Sequence, residues 1–357
     1  MTDTLIPNLL DPNSLTKFAY ETFQQSKHAF GFAHKTLSTQ FLNAISSGKR
    51  EEPNPPDPKM LALLQSRIKD LLAADWEDAE KNVYPKQALF EYRLDYFFRY
   101  YPELWLDLPK IWDRATNKRH QDFSDDIDTT GYPDYYVQNF HHQTDGYFSK
   151  ISADMYDLQV EVLFNGTAAP MRRRILAPLK QHLMTMPVET DSTPQPRKLL
   201  DIACGTGNSL TLINQSMPDV SLYGVDLSPA YLKKAGENLA DIKGTMPAQL
   251  VQSNGESLPF VDEFFEATTS TFLFHELPAQ ARQNVINEAY RVTKPGGIFV
   301  ICDSVQKMDT PEFEPLMENF PVLFDVLYYR HYICDDLVAR LVSAGFSVQG
   351  TYYHYMS

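Results

Sequence analysis

The feature that most constrains this chain is a change of rhythm at Pro196. Beyond it, short apolar runs alternate with stretches of helical spacing. Lys198–Ala203, Val220–Val225, Ala248–Gln252, Glu266–Thr271 and Ile298–Cys302 read as strands, with a last one over about 346–353. Helices fall between them over about 208–216, 229–239, 279–292 and 335–344, the last stopped by Gly345. Such alternation builds an α/β fold, an open and mostly parallel sheet with helices on both faces. Its ligand crevice lies outside the carboxyl ends of the strands.

Before Pro196 the pattern is helical. Met60, Leu61, Leu64, Ile68, Leu71 and Leu72 share one face at 3.6-residue spacing. Further helices are expected over about 14–30, 34–47, 80–98, 101–115, 150–164 and 168–186. Two proline-rich breaks, 51–58 and 187–196, read as linkers, because proline lacks an N–H and restrains its neighbour. The chain therefore divides into a helical cap or substrate region, 1–195, and a nucleotide-binding region, 196–357.

The first strand runs into Leu199-Leu-Asp-Ile-Ala-Cys-Gly-Thr-Gly-Asn-Ser209. Gly205 and Gly207 permit a tight turn and close approach of a ligand to the backbone. The helix that follows offers free N–H groups at its start. Asp226 ends the second strand, where a carboxylate can accept both hydroxyls of a ribose. A third glycine of a dinucleotide fingerprint would fall on Leu210, which is too bulky for close pyrophosphate packing. Asp201, just before the loop, would repel a phosphate and suits an ammonium. A ribose with an amino-acid ammonium and no phosphate describes S-adenosylmethionine.

Residues 197–305 resemble the class I S-adenosylmethionine-dependent methyltransferases, and within them the group that includes the ubiquinone/menaquinone C-methyltransferases. The resemblance rests on Leu-Asp-Ile-Ala-Cys-Gly-Thr-Gly at 200–207, Tyr-Gly-Val-Asp-Leu-Ser at 223–228 and Asn-Gly-Glu-Ser-Leu-Pro-Phe at 254–260. Phe-His-Glu-Leu at 274–277 and Arg-Val-Thr-Lys-Pro-Gly-Gly at 291–297 complete it. It implies a Rossmann-like sheet of the seven-stranded type. Only about twelve residues follow Gly345, so the seventh strand is expected to be missing or replaced by N-terminal chain. By position, the resemblance puts Asp201, Ala203, Gly205 and Gly207 around the methionine part of the cofactor. Asp226 falls on the ribose, Leu227 on the adenine face, Asn254 and Gly255 at the adenine edge, and Phe272 near the sulfonium. Asn254 stands where the family usually has Asp; an amide can still meet the adenine amine.

Methyl transfer from a sulfonium needs alignment, exclusion of water and removal of any acceptor proton. The candidate catalytic base is His275, just beyond the fourth strand; plant-type O-methyltransferases resemble this segment and place their base there. The alternative is a histidine that packs against the next helix. The aromatic stretch 132–148 is the candidate wall over the methyl group, with Tyr136, Phe140, His141, Gln143, Thr144 and Tyr147 as substrate contacts; it reads equally as a core patch. Tyr328 is a further substrate candidate. His141 and His142, on opposite sides of an extended chain, make a poor metal pair, and no metal is expected. Arg172-Arg173-Arg174 reads as a solvated face or a set of salt bridges, with an acidic-substrate anchor as the minority reading.

Composition closes off other classes. Forty-six acidic residues against 32 basic leave a net charge of −14, which argues against nucleic acid. Three scattered cysteines suit a reducing compartment rather than a disulfide framework. The longest apolar stretch, about 320–329, is far short of the ~20 residues of a membrane span. The expectation is a cytoplasmic enzyme that methylates a small, partly apolar metabolite at oxygen or carbon, with a homodimer left open. The rivals are a non-methylating enzyme that uses the same cofactor and a non-catalytic cofactor-binding scaffold.

Overall fold

A computed structural model describes residues 11–45, 57–91, 93–187, 195–240, 242, 246–324 and 326–357. Most of both proline-rich linkers, 51–58 and 187–196, lies outside the described residues. The helical region contains α1 (Pro12–Ile45), α2 (Pro58–Glu80), α3 (Leu94–Asn117), α4 (Lys150–Leu163), α5 (Ala168–Arg173) and α6 (Leu176–Thr185). Then follow β1 (Lys198–Ile202), α7 (Asn208–Ser216), β2 (Ser221–Asp226), α8 (Pro229–Ala240), β3 (Gln249–Gln252), β4 (Phe265–Thr271), α9 (Ala279–Val292) and β5 (Thr293–Cys302). The chain continues through α10 (Glu314–Phe324), α11 (Tyr329–Tyr332) and α12 (Leu337–Ala344).

The five strands form one parallel sheet in the order β3-β2-β1-β4-β5. The order reverses at β1, where the glycine loop begins, so the crevice forms at the switch point. Side chains on each strand alternate between two cores. Leu199 and Leu222 enter one with Leu179 of α6 and Ile213 of α7; Leu200, Ile202 and Val225 enter the other with Val285 and Ile286 of α9. The first core also takes in Tyr20, Trp76, Tyr84 and Leu89 from the helical region.

Several helix boundaries depart from the sequence expectation. The segments 14–30 and 34–47 join into the single α1. Gly31 sits within it because the helix passes very close to Asn165: a Cβ at Gly31 would fall 2.8 Å from the Asn165 Cα. The helix expected over 80–98 is interrupted: α2 stops at Glu80, Asn82 turns left-handed (φ 57°), Pro85 leads into a short 3-10 turn, Lys86–Phe90, and only 94–98 are helical, as the start of α3. The helix expected over 101–115 starts at Leu94 and carries Pro102 and Pro109 inside it. The expected 168–186 helix breaks between Arg173 and Leu176, because Pro178 has no N–H to continue the ladder from Arg174.

The strand expected over 346–353 does not form. Gly345 caps α12 in the left-handed region (φ 110°), and Phe346 then packs edge-on against Tyr290 at 5.1 Å and beside Phe299. Phe346 N–H closes the helix end on the Leu341 carbonyl (3.0 Å), and past the segment Val305 N–H bonds the Met356 carbonyl (3.0 Å). No described helix is long and apolar enough to cross a membrane.

Candidate active site

The site starts at the glycine loop. After β1 the chain passes through Ala203 (φ 59°), Gly205 (φ 53°) and Gly207 (φ 81°) before α7. Gly207 is required twice over: its φ favours glycine, and a Cβ there would meet the Ala235 Cβ of α8 at 3.0 Å. The loop is tied to β2 by Asp226, whose Oδ2 accepts from Gly205 N–H (2.9 Å) and whose Oδ1 accepts from Ser228 N–H (2.8 Å). Burial pushes the Asp226 carboxyl up to about 6, against the pull of these donors.

Asp201, on β1, is 1% exposed, and its Oδ1 has no hydrogen-bond partner among the described residues. Burial, and then the charge of Asp226, push its carboxyl well above the usual range. A buried carboxylate oxygen without a donor is costly. Asp201 with this unpartnered oxygen and Asp226 with its spare accepting capacity, both beside the glycine loop, form a place that a ligand with an ammonium and paired hydroxyls would complete. The residues present therefore fit S-adenosylmethionine.

A crevice opens outside the strand ends, between the glycine loop, the ends of β2 and β4 and the segment 132–148. Of the cofactor candidates, Ala203, Gly205, Asp226, Leu227, Asn254, Gly255 and Phe272 line it; Asp201 and Gly207 lie behind that lining. Of the substrate candidates, Tyr136, Phe140 and Tyr147 line it. Gln143 is turned inward, donating to Ser152 Oγ (2.9 Å) and Tyr231 OH (3.3 Å). Thr144 donates to Asp107 (2.6 Å), and Tyr328 is not in the wall.

The segment 132–148 is joined to the sheet at several points. Ser228 Oγ donates to the Tyr147 carbonyl (2.6 Å), and Tyr135 OH donates to Glu256 (2.6 Å). Phe140 stacks on Tyr147 with ring centroids 4.7 Å apart. Its two histidines sit in a short 3-10 turn with left-handed backbone (φ 56° and 57°), not in extended chain.

At another part of the crevice the chain leaves β4 through Phe272 (φ 59°) into a 3-10 turn, Phe274–Glu276. Buried Arg282 of α9 pins this turn, donating from Nε to the carbonyls of Phe274 (3.0 Å) and Leu277 (2.9 Å). His275 lies behind the crevice wall. Its Nδ1 is 2.7 Å from Asp303 Oδ1. Burial alone would lower the imidazole, yet Asp303 outweighs it and the pKa is raised. The carboxylate that faces the crevice is Glu276, which accepts from Tyr147 OH (2.7 Å) and lies 3.2 Å from His141 Nε2.

Sequence reasoning leaves Glu276 open between orienting a substrate and starting a helix, and it missed Asp303 behind His275 and Asp157 of α4. Asp157 accepts from Thr206 Oγ1 and Asn208 Nδ2, both at 2.7 Å, and so steadies the glycine loop from the helical region. Asp154 and Asp157, three apart on a largely apolar helix, were the visible signal. The arginine run forms ion pairs: Arg173 with Asp75 (2.6 Å) and Arg174 with Asp78 (2.8 Å), while Arg172 lies over the Phe272 ring at 5.4 Å.

Comparison with known proteins agrees with this geometry. Residues 199–297 match a family model described as a methyltransferase domain. An uncharacterized methyltransferase of Synechocystis sp. is 31% identical over 163 residues, 46% of this chain and 73% of that protein. A ubiquinone/menaquinone biosynthesis C-methyltransferase of Desulfotalea psychrophila is 30% identical, over 54% of this chain and 66% of that protein. A demethylmenaquinone methyltransferase of Geobacillus stearothermophilus is 35% identical, over 31% of this chain and 46% of that protein. The chain thus spans about half to three quarters of the length of these relatives. Among solved structures, a SAM-dependent methyltransferase from Aquifex aeolicus is 21% identical, covering 38% of this chain and 68% of that one, with a TM-score of 0.30.

Proposed function

Because the chain belongs to the class I S-adenosylmethionine-dependent methyltransferases, we propose that it methylates a small, partly apolar metabolite at oxygen or carbon. The observation that carries this reading is the pair of buried carboxylates at the glycine loop, Asp226 with its two backbone donors and Asp201 with an oxygen left unpartnered. When bound, S-adenosylmethionine supplies a sulfonium-activated methyl group. Asp226 would accept the ribose hydroxyls and Asp201 would offset the ammonium. Leu227, Asn254 and Gly255 would enclose the adenine, with Ala203, Gly205, Gly207 and Phe272 shaping the rest of the cofactor side.

Residues 1–195 act in this reading as a cap on the cofactor-binding region, 196–357. Tyr136, Phe140 and Tyr147 exclude water from the acceptor side, and ring faces of this kind favour a sulfonium through cation–π attraction. His141, Gln143 and Thr144 belong to the same wall, Gln143 and Thr144 by holding its shape. Tyr328 would shape a more distant part of the acceptor pocket. His275 and Glu276 form the polar end that meets an acceptor hydroxyl. The names of two relatives, one for demethylmenaquinone and one for ubiquinone/menaquinone biosynthesis, agree with a ring-bearing acceptor.

The test is calorimetric titration with S-adenosylmethionine, followed by transfer of labelled methyl to a panel of hydroxylated and ring-bearing metabolites. Saturable cofactor binding and transfer to at least one acceptor are expected. No binding would overturn the cofactor assignment. Binding without transfer to any acceptor would overturn the catalytic half and favour a scaffold.

A further inference from the structure

We infer that His141, His275 and Glu276 form a binding site for one divalent transition-metal ion at the acceptor end of the crevice. The sequence sets His275 beside Glu276, but His141 lies 135 positions from Glu276. The fold brings them together. One ligand atom from each lies within 4.8 Å of the others. His141 Nε2 is 3.2 Å, and His275 Nε2 3.8 Å, from the same Glu276 oxygen. Ligands held at ~2.0–2.2 Å around a tetrahedral ion are separated by roughly 3.3–3.5 Å, so both distances to Glu276 are close to that spacing and the two imidazoles would draw together from within 4.8 Å.

The hydrogen bonding leaves a place for a cation. Asp303 is fixed by Phe274 N–H on Oδ2 (2.6 Å) and Ser304 N–H on Oδ1 (2.7 Å), and the same Oδ1 accepts from His275 Nδ1–H. In the neutral imidazole, the form that binds a metal, that bond leaves the lone pair on Nε2. The lone pair looks toward the Glu276 carboxylate at 3.8 Å, beyond hydrogen-bond reach. Two electron-rich groups face each other in a buried setting walled by Tyr329 and Tyr332 on one side and by Phe320 and Phe324 on the other. A cation between them removes the conflict. A carboxylate behind a histidine ligand is the usual outer support of such a site, and here Tyr147 OH supports the glutamate in the same way.

Two imidazoles and one carboxylate, with coordination positions left open, suit borderline ions such as Zn²⁺. Glu276 is in the crevice wall, so the open positions would face an oxygen ligand on the acceptor. This goes beyond the reading above and is tested without cofactor or acceptor.

The full chain, stripped with chelator, is titrated with Zn²⁺ against a chromogenic competitor, and washed protein is assayed for metal by atomic emission. One equivalent per chain is expected. Glu276→Gln and His141→Ala should each weaken binding at least tenfold, and Asp303→Asn about 10–100-fold. Substitution with Co²⁺ gives a second readout on unmutated protein, a visible absorption band that Zn²⁺ abolishes. Absence of a stoichiometric ion in the unmutated protein, or full retention by both Glu276→Gln and His141→Ala, would overturn the site. If the ion binds and no methyl is transferred, the metal site stands and only the catalytic reading fails.

Discussion

The molecule buries charge in two places, and it treats them in opposite ways. Around Asp75, in α2, every polar atom is answered. Arg173 donates to both carboxylate oxygens (2.7 and 2.6 Å), Tyr20 OH adds a bond to one (2.6 Å) and Tyr84 OH a bond to the other (2.7 Å). Burial alone would raise the Asp75 carboxyl, but Arg173 and these hydrogen bonds hold it below the usual range. Around the crevice, Asp201 keeps an orphan oxygen and Asp226 is raised to about 6. A closed network spends its charge on holding α2 to α5. An open one retains binding capacity for something else, at a cost to the free protein.

The sharpest way to separate the two is to change one residue in each. His275→Ala at the open end should lower turnover of a hydroxyl acceptor by about 10²–10⁴-fold while cofactor affinity is kept. Steady-state kinetics beside calorimetry checks this, and unchanged turnover would leave His275 as packing. Arg173→Met in the closed network should cost about 3–5 kcal/mol of stability, because it strands a buried carboxylate. Denaturant unfolding reads it; a loss below about 1 kcal/mol would mean the network is not closed.

Smaller effects refine the open site. Asp226→Ala should weaken S-adenosylmethionine by about 1–3 kcal/mol, through loss of a charged acceptor for the ribose hydroxyls. Since those hydroxyls donate to the ionised form and the free carboxyl titrates near 6, affinity should rise about tenfold between pH 5 and pH 7. Flat affinity over that range would detach Asp226 from the ligand. Asp201→Asn should leave stability unchanged or raise it by up to about 1 kcal/mol, since it removes a buried carboxyl whose ionisation burial already opposes, while cofactor affinity falls. A clear loss of stability would place Asp201 with the closed network instead.

The sheet and the glycine loop were legible because their rules are local. A parallel strand buried on both faces must be an apolar run, and Gly205, Gly207 and Asp226 sit at fixed offsets from β1 and β2. Helix ends were harder, because tertiary contacts override propensity: Gly31 stays helical against Asn165, and Pro102 and Pro109 ride inside α3. The acceptor end was the least legible. His275 could be singled out by its position, but Asp303, His141 and Tyr147 reach it only through the fold, and Glu276 read equally as a substrate-orienting residue and as the start of a helix.

The core shared between the helical region and the sheet bears on how this protein could be re-engineered. Leu176, Leu179 and Leu183 of α6 fill the same cluster as Leu199, Leu210 and Leu222. Exchanging everything before residue 196 for another cap would strip apolar cover from one face of the sheet and expose it to aggregation. The replaceable part is smaller. The stretch between α3 and α4 carries the wall residues Tyr136, Phe140 and Tyr147, and both of its ends meet helices that would remain. Acceptor preference could be altered there as one exchanges a jaw, with the hinge-side packing left alone, provided that a serine-bonding backbone carbonyl is kept where Tyr147 now meets Ser228.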